Sequence, residues 1–163
     1  MSYVRKYIRK TLHYSRFRFI FEMAMLSILF KIFMGFFLGF VATDFFQIDI
    51  DEKFYYEELN PFFLFILLCL IVPFFETFFQ WLPIKILKKI TASCTIIVIL
   101  TAIIFAGLHL SYSVIYAIMI FPLALAVSWG FYNYYRKSFS EAFFVAFAIH
   151  SIHNLTAVLA IAI

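Results

Sequence analysis

Long apolar runs alternate with short polar segments along nearly the whole chain. Each of the five runs is about 19–25 residues long, and a helix needs about 20 mainly apolar residues to cross the hydrocarbon core of a bilayer. The pattern therefore predicts an all-α, polytopic membrane helical bundle. Its five transmembrane helices are predicted at residues 19–43, 61–81, 92–110, 114–132 and 139–163.

The composition agrees with this class of protein. Of the 163 residues, 66% are hydrophobic and 13% are charged, and the mean hydropathy is +1.01. Soluble domains average about 45–50% apolar and about 25% charged residues. We therefore expect a single transmembrane helical domain at residues 19–163. Cys69 and Cys94 lie in or beside apolar runs and are predicted to be small buried side chains without a disulfide framework.

The basic residues indicate an orientation in the membrane. Eleven of the 13 Lys and Arg fall in residues 1–18, 85–89 and 136–137, which five spans place on one side, whereas the opposite side has Lys53 alone. The positive-inside rule then predicts a multi-pass protein of the cell membrane with its N-terminus in the cytoplasm. The net charge of +4 is therefore not interpreted as nucleic-acid binding.

Residues 1–18 combine six basic residues with aromatic and aliphatic ones. We interpret them as a basic interfacial segment on an anionic membrane surface, the alternative being a frayed tail. The apolar run that follows, of about 25 residues, is too long for the hydrophobic core of a cleavable signal. It is predicted to remain as a signal anchor.

A few polar side chains interrupt the apolar runs. Glu76 lies in the second run, where a carboxylate costs about 2.5–3.5 kcal/mol on insertion scales. His109 ends the third run, and the fifth contains His150, His153 and Asn154. His150 and Asn154 are four residues apart and share one helix face. Singly, each could be a structural hydrogen-bonding group, but together they predict a shared polar cavity.

Such a cavity has the groups that peptide hydrolysis requires. A carboxylate beside an imidazole can take a proton from water. A second imidazole and an amide can donate hydrogen bonds to the oxyanion of a tetrahedral intermediate. If the second span ended at Trp81, however, Glu76 would lie about 8 Å from its inner end and His109 about 27 Å from that of its own span. We therefore predict a long, tilted second span that is kinked at Pro73 and reaches the lysines at 85–89.

The order of these residues resembles the CAAX-protease and bacteriocin-processing family, also called CPBP or Abi, which includes the Ras-converting prenyl-protein endopeptidases. The motifs of that family are EExxxR, FxxxH and HxxxN. Residues 76–81, 105–109 and 150–154 resemble these three motifs in this order, and the resemblance covers about residues 61–163. Thr77 stands where the second glutamate is expected, and Trp81 stands where the arginine is expected. Gln80 lies one position before Trp81.

The resemblance implies an intramembrane, metal-independent glutamate endopeptidase without a cofactor. Glu76 would be the catalytic glutamate, His109 would help it to activate water, and His150 and Asn154 would form the oxyanion site. The expected partners are a peptide or membrane-protein substrate and the lipid bilayer, but no nucleic acid. The substrate and the oligomeric state stay open.

Two alternatives remain at this point. The departures at Thr77 and Trp81 favour a non-catalytic bacteriocin-immunity or binding protein on the same scaffold. A metal site or ion pathway could instead use Glu76 and the three histidines of the apolar runs, although no H-E-x-x-H motif is present. Lys31, in the middle of the first span, either reaches the headgroups or faces the cavity and pairs with Glu76.

Overall fold

The computed structural model describes residues 15–40 and 60–162, and every regular element in these ranges is a helix. The five segments long and apolar enough to cross a membrane confirm the predicted all-α bundle with five spans. Residues 1–14 of the basic segment and the acidic loop at 41–59 lie outside the described residues. The elements in chain order are α1 (Arg16–Phe40), α2 (Pro61–Phe65), a π-helical turn (Ile66–Ile71), α3 (Val72–Ile90), α4 (Cys94–Leu108), a 3₁₀ turn (His109–Ser111), α5 (Val114–Tyr134) and α6 (Phe139–Ala162).

Side-chain caps begin several of these helices directly after short polar segments. The Asn60 side chain accepts a hydrogen bond from the Phe62 N–H, and Pro61 takes the first helical position. Ser93 and Ser113 cap α4 and α5 in the same way. These bonds satisfy N–H groups that have no carbonyl partner within a helix. The spans therefore begin where the sequence changes from polar to apolar.

The second span is longer than its apolar run. The elements α2, the π turn and α3 together form one 30-residue segment, Pro61–Ile90. This confirms the predicted extension to the lysine-rich segment. At 1.5 Å per residue, Glu76 lies about 21 Å from the end of α3 at Ile90, and His109 lies about 22 Å from the start of α4 at Cys94. The longer span therefore brings the carboxylate and the imidazole to the same depth.

The central helix of the bundle is α5, which packs against α1, α4 and α6. Half of its membrane-spanning window is buried inside the protein, the largest share among the five spans. Gly130 lies at the contact of α5 with its neighbours: a Cβ atom there would lie 2.9 Å from Ile149 Cδ1 and 3.4 Å from Phe19 Cε1. Small residues allow such close helix packing inside membranes.

We expect Gly130→Val to destabilise the protein by about 1–3 kcal/mol, because extra methyl groups overpack the contact of α5 with α1 and α6. Gly107→Val is the matched control, since a Cβ atom at Gly107 in α4 meets nothing within 4 Å. Thermal unfolding in detergent micelles measures both variants. Equal losses of stability would contradict the close packing at Gly130.

Most of the basic residues in the described ranges lie at one end of the bundle. The Arg16 guanidinium lies 2.9 Å from the Glu141 carboxylate and so joins the starts of α1 and α6. The Lys88 ammonium, near the end of α3, lies 4.7 Å from the ring of Tyr135, just after α5. The positive-inside rule predicts that an end rich in Lys and Arg faces the cytoplasm. The cytoplasmic position of this end stays a prediction.

Single-cysteine labelling tests that orientation in a background without Cys69 and Cys94. A cysteine at Lys89 should react with an impermeant reagent only after the membrane is opened, because the positive-inside rule predicts that the basic end faces the cytoplasm. A cysteine at Tyr112, whose side chain is 70% exposed at the opposite end of α4, should react in intact cells. The reverse pattern would show that the bundle is inverted.

Candidate active site

Glu76 lies at the edge of the buried face of α3. The residues buried on this helix are Pro73, Thr77, Gln80 and Ile84, whereas neighbouring phenylalanines are exposed on its outer side. The Glu76 side chain is 27% exposed. Glu76 therefore points from the boundary between the two faces and remains accessible from outside the bundle.

Three spans bring Glu76, His109 and His150 into contact. Glu76 Oε1 lies 3.5 Å from His109 Nε2, and Glu76 Oε2 lies 3.3 Å from His150 Nε2. Each oxygen of the carboxylate thus faces a different imidazole. These distances are longer than the usual 2.7–2.9 Å of a charge-assisted hydrogen bond.

The backbone orients the ring of His109. α4 ends at Leu108, and His109 begins the following 3₁₀ turn. Its Nδ1 atom lies 2.9 Å from the Phe105 carbonyl oxygen, so Nδ1–H donates and Nε2 faces Glu76. A neutral His109 then presents a lone pair to a carboxylate oxygen. A proton or a water molecule shared between the two groups removes this repulsion.

His150 is 1% exposed and is held by apolar packing. The Phe105 ring meets it at a centroid distance of 5.9 Å and an interplanar angle of 75°, and it also contacts the His109 ring at 5.0 Å. The Nδ1 atom of His150 is buried and has no partner within the described part of the chain. A neutral His150 with its proton on Nε2 therefore donates to Glu76, its one polar neighbour at this distance in the described ranges.

Asn154 and His153 form hydrogen bonds with groups other than Glu76. The Asn154 amide nitrogen donates to the Leu68 carbonyl oxygen at 2.9 Å, so it contacts the π turn of the second span. His153 Nδ1 lies 2.9 Å from Ser27 Oγ, and that hydroxyl donates to the Ala24 carbonyl oxygen at 2.7 Å. His153 therefore faces α1. Ser27 was not predicted as a site residue, because its only signal in the sequence is a hydroxyl within an apolar run.

Lys31 follows Ser27 by one turn of α1 and is partly buried. Its pairing with Glu76 and its alternative position at the headgroups both stay predictions. Arg18 and Glu22, four residues apart on α1, form an ion pair, with Arg18 Nε 2.8 Å from Glu22 Oε1.

The residues that depart from the family motif supply no charge near Glu76. Thr77 is fully buried, and its hydroxyl has no partner within the described part of the chain. Trp81 lies towards the basic end, where its indole N–H donates to the Tyr135 hydroxyl at 3.4 Å. Gln80 Nε2 lies 3.5 Å from the Ala124 carbonyl oxygen. Hydroxyl, amide and aromatic contacts thus occupy this part of the motif.

Fold and site together define a multi-pass membrane protein in which one carboxylate meets two imidazoles inside a helical bundle. Residues 58–156, more than half of the chain, match the family model described as type II CAAX prenyl endopeptidase Rce1-like. The chain belongs to this family, which confirms the resemblance to the CPBP proteins. The matched range contains residues 76–81, 105–109 and 150–154, and the family indicates a CAAX-type intramembrane protease fold. No curated protein and no solved structure was matched.

The described residues contain no group of three or more His, Cys, Asp or Glu side chains arranged to hold a metal ion. Both cysteines are free: Cys69 is buried within the π turn, and Cys94 is partly buried at the start of α4. The reactive groups that the described residues bring together here are the Glu76 carboxylate and the imidazoles of His109 and His150.

Proposed function

We propose that this protein is an intramembrane glutamate endopeptidase that hydrolyses a peptide bond in a peptide or a membrane-associated protein. The observation that carries the proposal is the contact of the Glu76 carboxylate with two imidazoles, at 3.5 Å and 3.3 Å, from two other helices. Membership of a family of CAAX-type endopeptidases supports the same reaction class.

Glu76 is the general base of the proposed reaction. It takes a proton from a water molecule, and the water oxygen attacks the carbonyl carbon of the scissile bond. His109 Nε2, which the Phe105 carbonyl keeps turned towards Glu76, accepts a hydrogen bond from the same water molecule. The proton taken by Glu76 then passes to the leaving amine as the carbon–nitrogen bond breaks. The partial exposure of Glu76 leaves an approach for water and substrate.

His150 and Asn154 are assigned to the oxyanion of the tetrahedral intermediate. The Nε2–H group of His150 already lies beside Glu76 and is shielded from solvent, where a hydrogen bond to a developing charge is strongest. The Asn154 amide has two N–H groups and uses one of them on the Leu68 carbonyl. The oxyanion role of Asn154 stays a prediction and would require the second N–H group.

Purified protein in liposomes tests the reaction with two fluorogenic peptides. Both have the same sequence, with a cysteine close to the C-terminus, and only one carries a prenyl group on that cysteine. We expect cleavage of at least one peptide, with an unchanged rate in the presence of a metal chelator. Cleavage that stops with chelator and returns with Zn²⁺ would establish the metalloenzyme alternative.

A second candidate function is bacteriocin immunity or binding without hydrolysis. The absence of charge at Thr77 and Trp81 favours it, because the carboxylate and arginine of the family motif are both missing. Cells that produce Glu76→Gln separate the two functions. Protection against a bacteriocin that survives this substitution would establish binding, whereas protection that disappears would support hydrolysis.

A further inference from the structure

The π turn of the second span contains a carbonyl group that the helix itself cannot satisfy. In the π turn, the Val72 N–H bonds to the Leu67 carbonyl oxygen, five residues earlier. The next carbonyl, that of Leu68, would bond in the same register to the N–H of residue 73. That residue is Pro73, which has no N–H group. The Asn154 side chain instead donates to the Leu68 carbonyl oxygen at 2.9 Å.

The π turn also determines which way Glu76 faces. The buried residues of the second span are spaced by five positions across the turn, from Leu64 to Cys69, and then by four, to Pro73 and Thr77. An α-helix rotates by about 100° per residue, so five residues would overshoot one face. The wider π turn absorbs the extra residue. It thereby keeps α2 and α3 docked on α6 with the same face.

We propose that Asn154 is a positioning residue that replaces the N–H group missing at Pro73 and thereby holds the π turn that aims Glu76 at His109 and His150. Asn154 follows His150 by one turn of α6. α6 thus holds the second span at two points, the Glu76 carboxylate and the Leu68 carbonyl. This role is separate from an oxyanion contact, and only its activity readout rests on the proposed function.

We expect a large effect from loss of the Asn154 amide, because the Leu68 carbonyl needs a donor and Glu76 needs an accurate position. A carbonyl group without a donor at membrane depth is costly, so the turn would rearrange to find another partner. A displacement of about 1 Å in a catalytic group can lower a rate roughly 100-fold. Loss of the Asn154 amide should therefore move Glu76 away from the two imidazoles without touching any of them.

A double-substitution cycle tests the assignment, because Pro73→Ala restores an N–H group five residues after Leu68. We expect Asn154→Leu alone to lower kcat roughly 100-fold and Pro73→Ala alone to stay close to wild type. The combined variant should recover most of the activity of Pro73→Ala. If Asn154→Leu causes the same fold loss in the wild-type and the Pro73→Ala backgrounds, Asn154 acts only on the oxyanion and the proposal is wrong.

A second readout requires no substrate. The ¹⁵N chemical shift of His150 Nε2 reports its contact with Glu76, and Glu76→Gln provides the reference without a carboxylate. Asn154→Leu should move the signal towards that reference, and adding Pro73→Ala should move it back. An unmoved signal would overturn the positioning role whatever the activity is. A responsive signal in a protein that cleaves nothing would leave positioning intact and reject the proposed hydrolysis.

The proposal can also be tested if the single variant fails to fold. If Asn154→Leu does not accumulate as folded protein, the yield of monodisperse protein in detergent is measured for the same set of variants instead of kcat. Recovery of that yield by Pro73→Ala supports the proposal, because the restored N–H replaces the lost amide. Absence of recovery contradicts it.

Discussion

Glu76→Gln should abolish peptide-bond cleavage, with a loss of roughly 10²–10⁴-fold in kcat, which is the usual contribution of a general acid or base. Glutamine keeps the shape of the side chain and can still accept a hydrogen bond from His150, but it cannot take a proton from water. The bundle should therefore insert and fold as before. Cleavage of the better of the two fluorogenic peptides in liposomes measures the effect.

Glu22→Gln is the matched control for this substitution. The side chains of Glu22 and Glu76 are 26% and 27% exposed, and each lies in a membrane-spanning helix. Glu22, however, pairs with Arg18 along α1, and such an i,i+4 pair contributes only about 0.3–0.5 kcal/mol. We expect wild-type kcat for Glu22→Gln. Equal activity of the two variants would remove Glu76 from the mechanism.

His109→Ala should lower kcat by a comparable amount, because it removes the imidazole that shares a proton or water molecule with Glu76. The substitution deletes one hydrogen bond, that to the Phe105 carbonyl oxygen, so the thermal unfolding midpoint should change little. Tyr112→Ala is the control: this ring packs 6.2 Å from the His109 ring and is 70% exposed. It should remain active.

The combined variant tests whether Glu76 and His109 act as one unit. If they activate the same water molecule, Glu76→Gln with His109→Ala should be no slower than Glu76→Gln alone, because residues of one catalytic unit are not additive. Multiplied losses would indicate that His109 has a separate role, for example in binding the substrate.

Much of the fold could be predicted because a membrane places strong limits on the chain. Five apolar runs of spanning length require five helices, and few other structures satisfy the backbone in lipid. The extension of the second span beyond Trp81 followed from depth alone, since Glu76 and His109 could not otherwise meet. The structure ends this span at Ile90.

The contacts between helices were harder to predict. Helices with apolar residues on all sides show little about which face is turned inward, because lipid and protein interior are both apolar. The sequence therefore contained no signal that His153 would bond to Ser27 or that Trp81 would reach Tyr135. It also placed Asn154 beside His150 correctly on one helix face without showing that its amide donates to Leu68.

The sequence alone determined the membrane class and the number of spans, and it marked the candidate site residues, because ionisable groups are rare and costly inside a bilayer. The tertiary structure decided which of those residues meet. Only the packing of three spans brings both oxygens of Glu76 against imidazoles, and only the π turn before Pro73 gives Asn154 a backbone carbonyl to bind. Both contacts depend on how each helix is rotated about its own axis. Neighbouring helices determine that rotation, and the apolar composition of a helix does not predict it.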